Sequence, residues 1–318
     1  MKLFTRLLVA TTAAVATLAH AGQPSEVGDL PAVHSRYATV DGVRIFYREA
    51  GHSSLPHIVL LHGFPSSSHM YRKLIPLLAT RFHVIAPDYP GFGHSDMPAP
   101  TEYRYTFDRL ATTMDRFLQA VGVARYVLYM QDYGGPVGLR IAAAHPQRVA
   151  GLVAQNANAY DEGLSPEVMK VLRPLWAQRT PDTEAPVRGF FTLEATRGQY
   201  TAGARHPEAL DPDAWVFDQA LLDRPGNHEV QLSLLADYGS NVSLYPQWQR
   251  YLRKHQPAML IAWGRGDPFF LEAGAHAYLR DVPGARLVLL DTGHFALEEE
   301  APRVAREIIA TFAGGQVP

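Results

Sequence analysis

Cysteine is missing from all 318 positions. Its absence excludes disulfides, thiolate nucleophiles and cysteine-based metal sites together, so packing alone must hold the fold. An excess of charge of either sign is missing too. The 29 Lys and Arg stand against 31 Asp and Glu, which leaves no electrostatic case for nucleic acid or an anionic membrane as partner. There is no internal repeat and no low-complexity tract. Beyond the first 21 residues, no apolar run reaches the roughly 20 residues a membrane-spanning helix needs.

What is present is apolar: 47% of the residues are hydrophobic, enough for one large domain with an insertion. Residues 1–21 carry the marks of an export signal. Lys2 and Arg6 form a basic start, Leu7 to Leu18 is apolar or small, and Ala19-His20-Ala21 fits an A-x-A cleavage site. The expectation is a cleaved leader and a periplasmic or secreted protein without stable membrane insertion. Removing Lys2 and Arg6 from the 29 basic residues leaves 27 against 31 acidic, about −4.

Two β-like runs, RYATV and VRIFYRE, flank Asp41-Gly42, a strong signal for a hairpin with a type I′ turn. Short apolar runs then alternate with helix-length segments: HIVLLHG at 57, a helix near 69–80, FHVIAPD at 82, a helix near 106–121, RYVLYM at 125, a helix over about 134–145 and RVAGLVAQ at 148. Unbroken apolar strands alternating with helices predict an α/β fold with a parallel sheet covered on both faces. From 156 to 246 the strand signals stop and helix-length pieces rich in aromatics and proline take over, an inserted helical cap. The rhythm resumes in AMLIAWG, ARLVLLD and APRVAREIIATFA. The division expected is a first core part over 22–155, the cap over 156–246 and a second core part over 247–318. The sequon Asn241-Val242-Ser243 reads as a chance match.

Four motifs carry chemistry. YMQDYGGPVG runs from a buried strand into a helix, and a sharp turn there lifts the side chain of Asp132 out of the sheet at the positive end of the helix. In LLHGFP the backbone N–H of Phe64 can join that of Tyr133 as two donors aimed at one oxygen, an oxyanion hole. AWGRGDPFF sets Asp267 just past a strand, and LLDTGHFALEE does the same for His294. Nucleophile, acid and histidine, each after a strand and in that order, form the pattern of a catalytic triad.

HGFP, QDYGG, APDYPGFGHSD, GRGD and TGHF together resemble the α/β-hydrolase fold, specifically its aspartate-nucleophile branch of epoxide hydrolases and haloalkane dehalogenases. The resemblance covers the mature chain. It implies a mostly parallel eight-stranded sheet with helices on both faces, and it implies that Asp132, Asp267 and His294 are catalytic. No cofactor or metal is implied; the partners are water and a small apolar electrophile, an epoxide or a halide. An ionised aspartate needs no base to attack saturated carbon, and the resulting ester is opened by water that His294 activates.

The leaving group separates the two branches. An epoxide oxygen needs a proton donor, commonly a pair of cap tyrosines, and Tyr160 and Tyr245 are the candidates here, with Tyr200 and Tyr238 also possible. A halide needs N–H donors, which tryptophan supplies, and Trp176 is the cap candidate, with Trp215 also in the insertion. Tyr133 stands where a dehalogenase typically has tryptophan, and HGFP is the common epoxide-hydrolase form, so diol formation is the favoured expectation. A degenerate binding protein and an ester hydrolase using Ser66 to Ser68 are the other readings.

Overall fold

The computed structural model describes residues 30–314; the export signal expected over 1–21 lies outside them. Strands β1 (Val33–Val40) and β2 (Val43–Ala50) pair antiparallel, and their turn at Asp41-Gly42 has φ values of 49° and 82°. Two consecutive left-handed residues are what a type I′ turn needs.

Six further strands complete an eight-stranded sheet: β3 (His57–Leu61), β4 (His83–Pro87), β5 (Tyr126–Gln131), β6 (Val149–Gln155), β7 (Met259–Gly264) and β8 (Arg286–Leu290). Their spatial order is β1-β2-β4-β3-β5-β6-β7-β8. From β4 to β8 every neighbouring pair is parallel, while β2 runs antiparallel to β4. The helices outside the cap are α1 (Ile75–Leu78), α2 (Phe107–Ala120), α3 (Gly134–Ala144), α10 (Glu272–Asp281) and α11 (Leu297–Phe312).

The period of two along each strand divides the core. Val59, Leu61, Leu128 and Met130 pack with α2, α3 and α10, whereas Ile58, Leu60, Val127 and Tyr129 pack with α1 and α11. Fully burying such a side chain stabilises by roughly 1.5–3 kcal/mol, which is how a chain without disulfides can hold its shape. The helix expected near 69–80 is split into a 3₁₀ turn at Ser68–Tyr71 and the short α1. Pro76 is the cause, since an unbroken helix would ask it for an N–H it lacks and press its ring on the carbonyl of Arg72.

Between β6 and β7 lie α4 (Pro166–Ala177), α5 (Pro181–Arg188), α6 (Leu193–Thr201), α7 (Asp213–Leu222), α8 (Asn227–Asp237) and α9 (Gly239–His255). The boundary expected at 246 falls inside α9, which carries Pro246 in its interior. Asn241 of the sequon is buried, with its Oδ1 accepting from Arg140 Nη1 at 2.6 Å. No helix among the described residues is long and apolar enough to cross a membrane.

Candidate active site

β5 ends at Gln131, α3 begins at Gly134, and between them Asp132 takes a φ of 49°. For a residue with a Cβ that left-handed geometry is strained, and it persists because strand and helix hold the turn from both sides. Met130, two positions before Asp132, is large for such an elbow. It fits because Gly138 faces it: a Cβ there would stand 2.6 Å from the Met130 sulfur. Gly63 gives the same service from the neighbouring loop, where a Cβ would lie 2.3 Å from Cβ of Asp132.

The two N–H groups expected to form an oxyanion hole converge on Asp132 itself. Phe64 N donates to its Oδ1 at 2.8 Å and Tyr133 N at 2.6 Å. Oδ2 makes no hydrogen bond to a described residue and lies 3.9 Å from His294 Nε2. Burial pushes the Asp132 carboxyl up to about 6, opposed by His294 and the two N–H donors. This corrects the expectation of an ordinary carboxylate, and the charged form is still the favoured one at pH 7.

His294 follows β8, and its Nδ1 meets Oδ2 of Asp267 at 2.7 Å. Asp267 follows β7 and is held by three more donors: Asn156 Nδ2 at 2.8 Å and the N–H groups of Phe269 at 2.7 Å and Phe270 at 3.1 Å. Burial alone would pull the imidazole of His294 down, but Asp267 and Asp132 together outweigh it and leave it above its ordinary value. Asn156, which sequence reading missed, has φ 45° and also grips Gly264 through both the N–H and the carbonyl. Its only signal was its place at the C-terminal end of a strand.

A cavity of about 60 Å³ opens over Asp132 and His294. At roughly 10–15 Å³ for each water it could hold, it has room for one compact substrate. Its walls are apolar: Val168, Met169 and Leu172 of α4, with Phe190, Leu235, Phe269 and Phe270. Two polar side chains join them from the cap, Tyr238 and Gln199. Tyr238 sits on Trp176 with centroids 6.0 Å apart and planes 16° from parallel. Burial, then its neighbours Tyr245 and Asp132, raise its phenol well above the ordinary value, so it stays an O–H donor.

The other cap candidates are not at the cavity. Trp176 spends its indole N–H on the Leu235 carbonyl at 2.9 Å. Tyr160 donates to Asp281 at 2.8 Å and packs on Tyr278. Tyr245 accepts from Asn158 at 3.2 Å and from the hydroxyl of Tyr238. Tyr200 donates to the buried Asp218 of α7. No tryptophan lines the cavity. Among the described residues, no group of three or more His, Asp or Glu side chains could hold a metal.

A model of the alpha/beta hydrolase fold family matches residues 56–301. An uncharacterized hydrolase of Saccharomyces cerevisiae is 44% identical over 276 residues, spanning 86% of this chain and 94% of that one. A haloalkane dehalogenase of Mycobacterium marinum is 30% identical over 289 residues, covering 84% of this chain and 88% of that one. Among solved structures, Cfl2 of Burkholderia cenocepacia superposes with a TM-score of 0.73 at 26% identity, over 88% of this chain and 96% of that one.

Proposed function

Since the chain belongs to the α/β-hydrolase fold family and is a hydrolase, we propose that it opens epoxides to diols through an ester of Asp132. The observation that carries this reading is the donor set of the cavity: Tyr238 shares it with Asp132, and no indole N–H reaches it.

In the first step Oδ2 of Asp132 attacks an epoxide carbon, the carbon–oxygen bond of the ring breaks, and the departing oxygen takes the proton of Tyr238. In the second, His294 Nε2 takes a proton from water as its oxygen adds to the ester carboxyl carbon. Negative charge gathers on Oδ1, already seated between the N–H groups of Phe64 and Tyr133, where such preorganised donors count most. The intermediate collapses, the imidazolium returns its proton to the departing alcohol oxygen, and the proton left on Asp132 restores Tyr238. Water and epoxide have become a diol.

A second reading, halide release from haloalkanes, is favoured by the 30% identical dehalogenase. A halide would have to be held by Tyr238 and the amide of Gln199, since the indole donors are absent from the cavity.

The deciding experiment offers wild type and His294→Gln terminal epoxides, styrene-oxide-like epoxides and haloalkanes, with diol, halide and intact mass all measured. Diol from wild type and a protein-plus-epoxide adduct in the variant are expected. Halide without diol would transfer the reading to dehalogenation, and turnover with no adduct in the variant would remove the ester mechanism.

A further inference from the structure

Gln131, the last residue of β5, is fully buried beside the reacting groups. Its Nε2 lies 3.0 Å from His294 Nε2. Its Oε1 is buried without any hydrogen-bond partner. A buried amide that is half satisfied is costly, because the unpaired oxygen has given up its water and gained no partner. Apolar residues of similar length would avoid that cost, so the unpaired oxygen points to a second partner at another stage of the reaction.

We propose that Gln131 is a positioning residue whose amide turns over with the protonation state of His294, donating to the neutral imidazole and accepting from the imidazolium. The inference rests on His294 being the base of the proposed reaction. His294 Nδ1 is tied to Asp267 at 2.7 Å, so in the neutral ring Nδ1 carries the proton and Nε2 offers its lone pair, where the Gln131 N–H₂ meets it.

Once Nε2 has taken a proton from water, it and the amide N–H₂ are two donors face to face. Asp132 Oδ2, at 3.9 Å, is at that stage still bonded to the alkyl carbon and takes this proton only when the ester bond breaks. The acceptor at hand is Gln131 Oε1. A half-turn about the last side-chain torsion exchanges the amide's two ends without moving the imidazole, and that torsion is broad and roughly two-fold in glutamine. Gly63 leaves the room: a Cβ there would lie 2.6 Å from Oε1.

The charged groups acting on His294 are Asp267, from the loop after β7, and Asp132, from the elbow. Tyr71 and Tyr89, near Asp132 on the far side, are buried phenols raised well above their ordinary value and stay neutral. The amide of Gln131 is thus the partner of Nε2 that can follow its proton. Glutamate in its place could only accept, and methionine could do neither.

Gln131→Glu and Gln131→Met, in the full chain beside His294→Gln, test this by adduct fraction and kcat between pH 6 and 10. Gln131→Glu holds the imidazolium: adduct accumulates at pH 7 and is released at higher pH, with the ascending, low-pH limb of kcat moved up by about one unit. Gln131→Met slows ester hydrolysis about tenfold at every pH, the rate equivalent of one hydrogen bond, while adduct formation stays near wild type. If Gln131→Glu does not fold, Gln131→Met decides alone. Wild-type hydrolysis rate and no adduct in a folded Gln131→Met overturn the inference and leave the glutamine a packing residue. Absence of adduct in His294→Gln would instead remove the base on which it rests.

Discussion

His294 Nε2 stands 3.9 Å from Asp132 Oδ2, beyond the reach of a hydrogen bond and close enough for a water to lodge against both. A hydroxyl nucleophile needs contact with its base, because losing the proton is how it becomes reactive. A carboxylate has no proton to give up. The gap between these two residues therefore fits a base that acts on water after the first bond has formed, and four consequences of this arrangement can be measured.

Asp132→Asn should abolish turnover and stabilise the fold. Burial raises the carboxyl from 3.8 to about 6, so the folded chain holds this proton more tightly than the unfolded chain. Stability is then lost as pH rises through that window, by about 3 kcal/mol once the carboxylate is fully charged. Thermal melts should show the variant several degrees above wild type at pH 8, with the difference closing between pH 6 and 4. A variant that melts lower at pH 8 would contradict this.

On the proposed mechanism the same titration governs attack. Below pH about 6 Asp132 is protonated and loses its nucleophilicity, so the rate of adduct formation in rapid-quench mass measurements should fall about tenfold for each further unit. Hydrolysis of the ester needs neutral His294, whose raised pKa moves that step's optimum to higher pH. A pH-independent first step between pH 4 and 8 would rule out the carboxylate as nucleophile.

Tyr238→Phe should separate the two leaving groups. Loss of a proton donor costs roughly 10²–10⁴ in rate, so adduct formation from epoxides should drop by that much. Haloalkanes need no proton and lose only one of the two donors to the departing halide, so they should fall by no more than about tenfold, the rate equivalent of one hydrogen bond. Equal losses on both substrates would mean the ring rather than its hydroxyl matters.

Gly63→Ala should damage the reaction more than the fold. Its Cβ would have to clear Asp132 Cβ at 2.3 Å and Oδ1 at 2.4 Å. A misplacement of about 1 Å can cost 10²-fold in rate, against an overpacking cost of about 1–3 kcal/mol. Gly189→Ala, with nothing within 4 Å, is the control expected to match wild type in both kcat and Tm.

The parts of this site that sequence makes legible are those fixed by local backbone. A strand-to-helix turn, a hairpin dipeptide and residues just past strand ends all have signatures a few residues long, and Asp132, Asp267, His294 and the N–H groups of Phe64 and Tyr133 converge where such signatures put them. The cap behaves differently. Tyr160, Tyr245 and Tyr238 are equivalent as letters, and only the packing of six helices decides that Tyr238 reaches the cavity while Tyr160 turns to Asp281. Trp176 fails as an anion donor for the same reason, because its N–H answers the carbonyl of Leu235 on another helix. Asn156 and Gln131 meet partners more than 100 residues away, a separation at which no local pattern exists.

The two backbone donors on Oδ1 make the oxygens of Asp132 unequal before any substrate arrives. On the proposed mechanism Oδ2 leaves with the diol and the oxygen of water takes its place, while Oδ1 stays behind. In water enriched with oxygen-18, the first diol released should thus be unlabelled and every later one labelled. Provided the carboxylate does not spin between turnovers, Asp132 should carry one heavy oxygen after many cycles and never two. A carboxylate is usually drawn as symmetric; here each oxygen would keep its own history, and a peptide mass would read it.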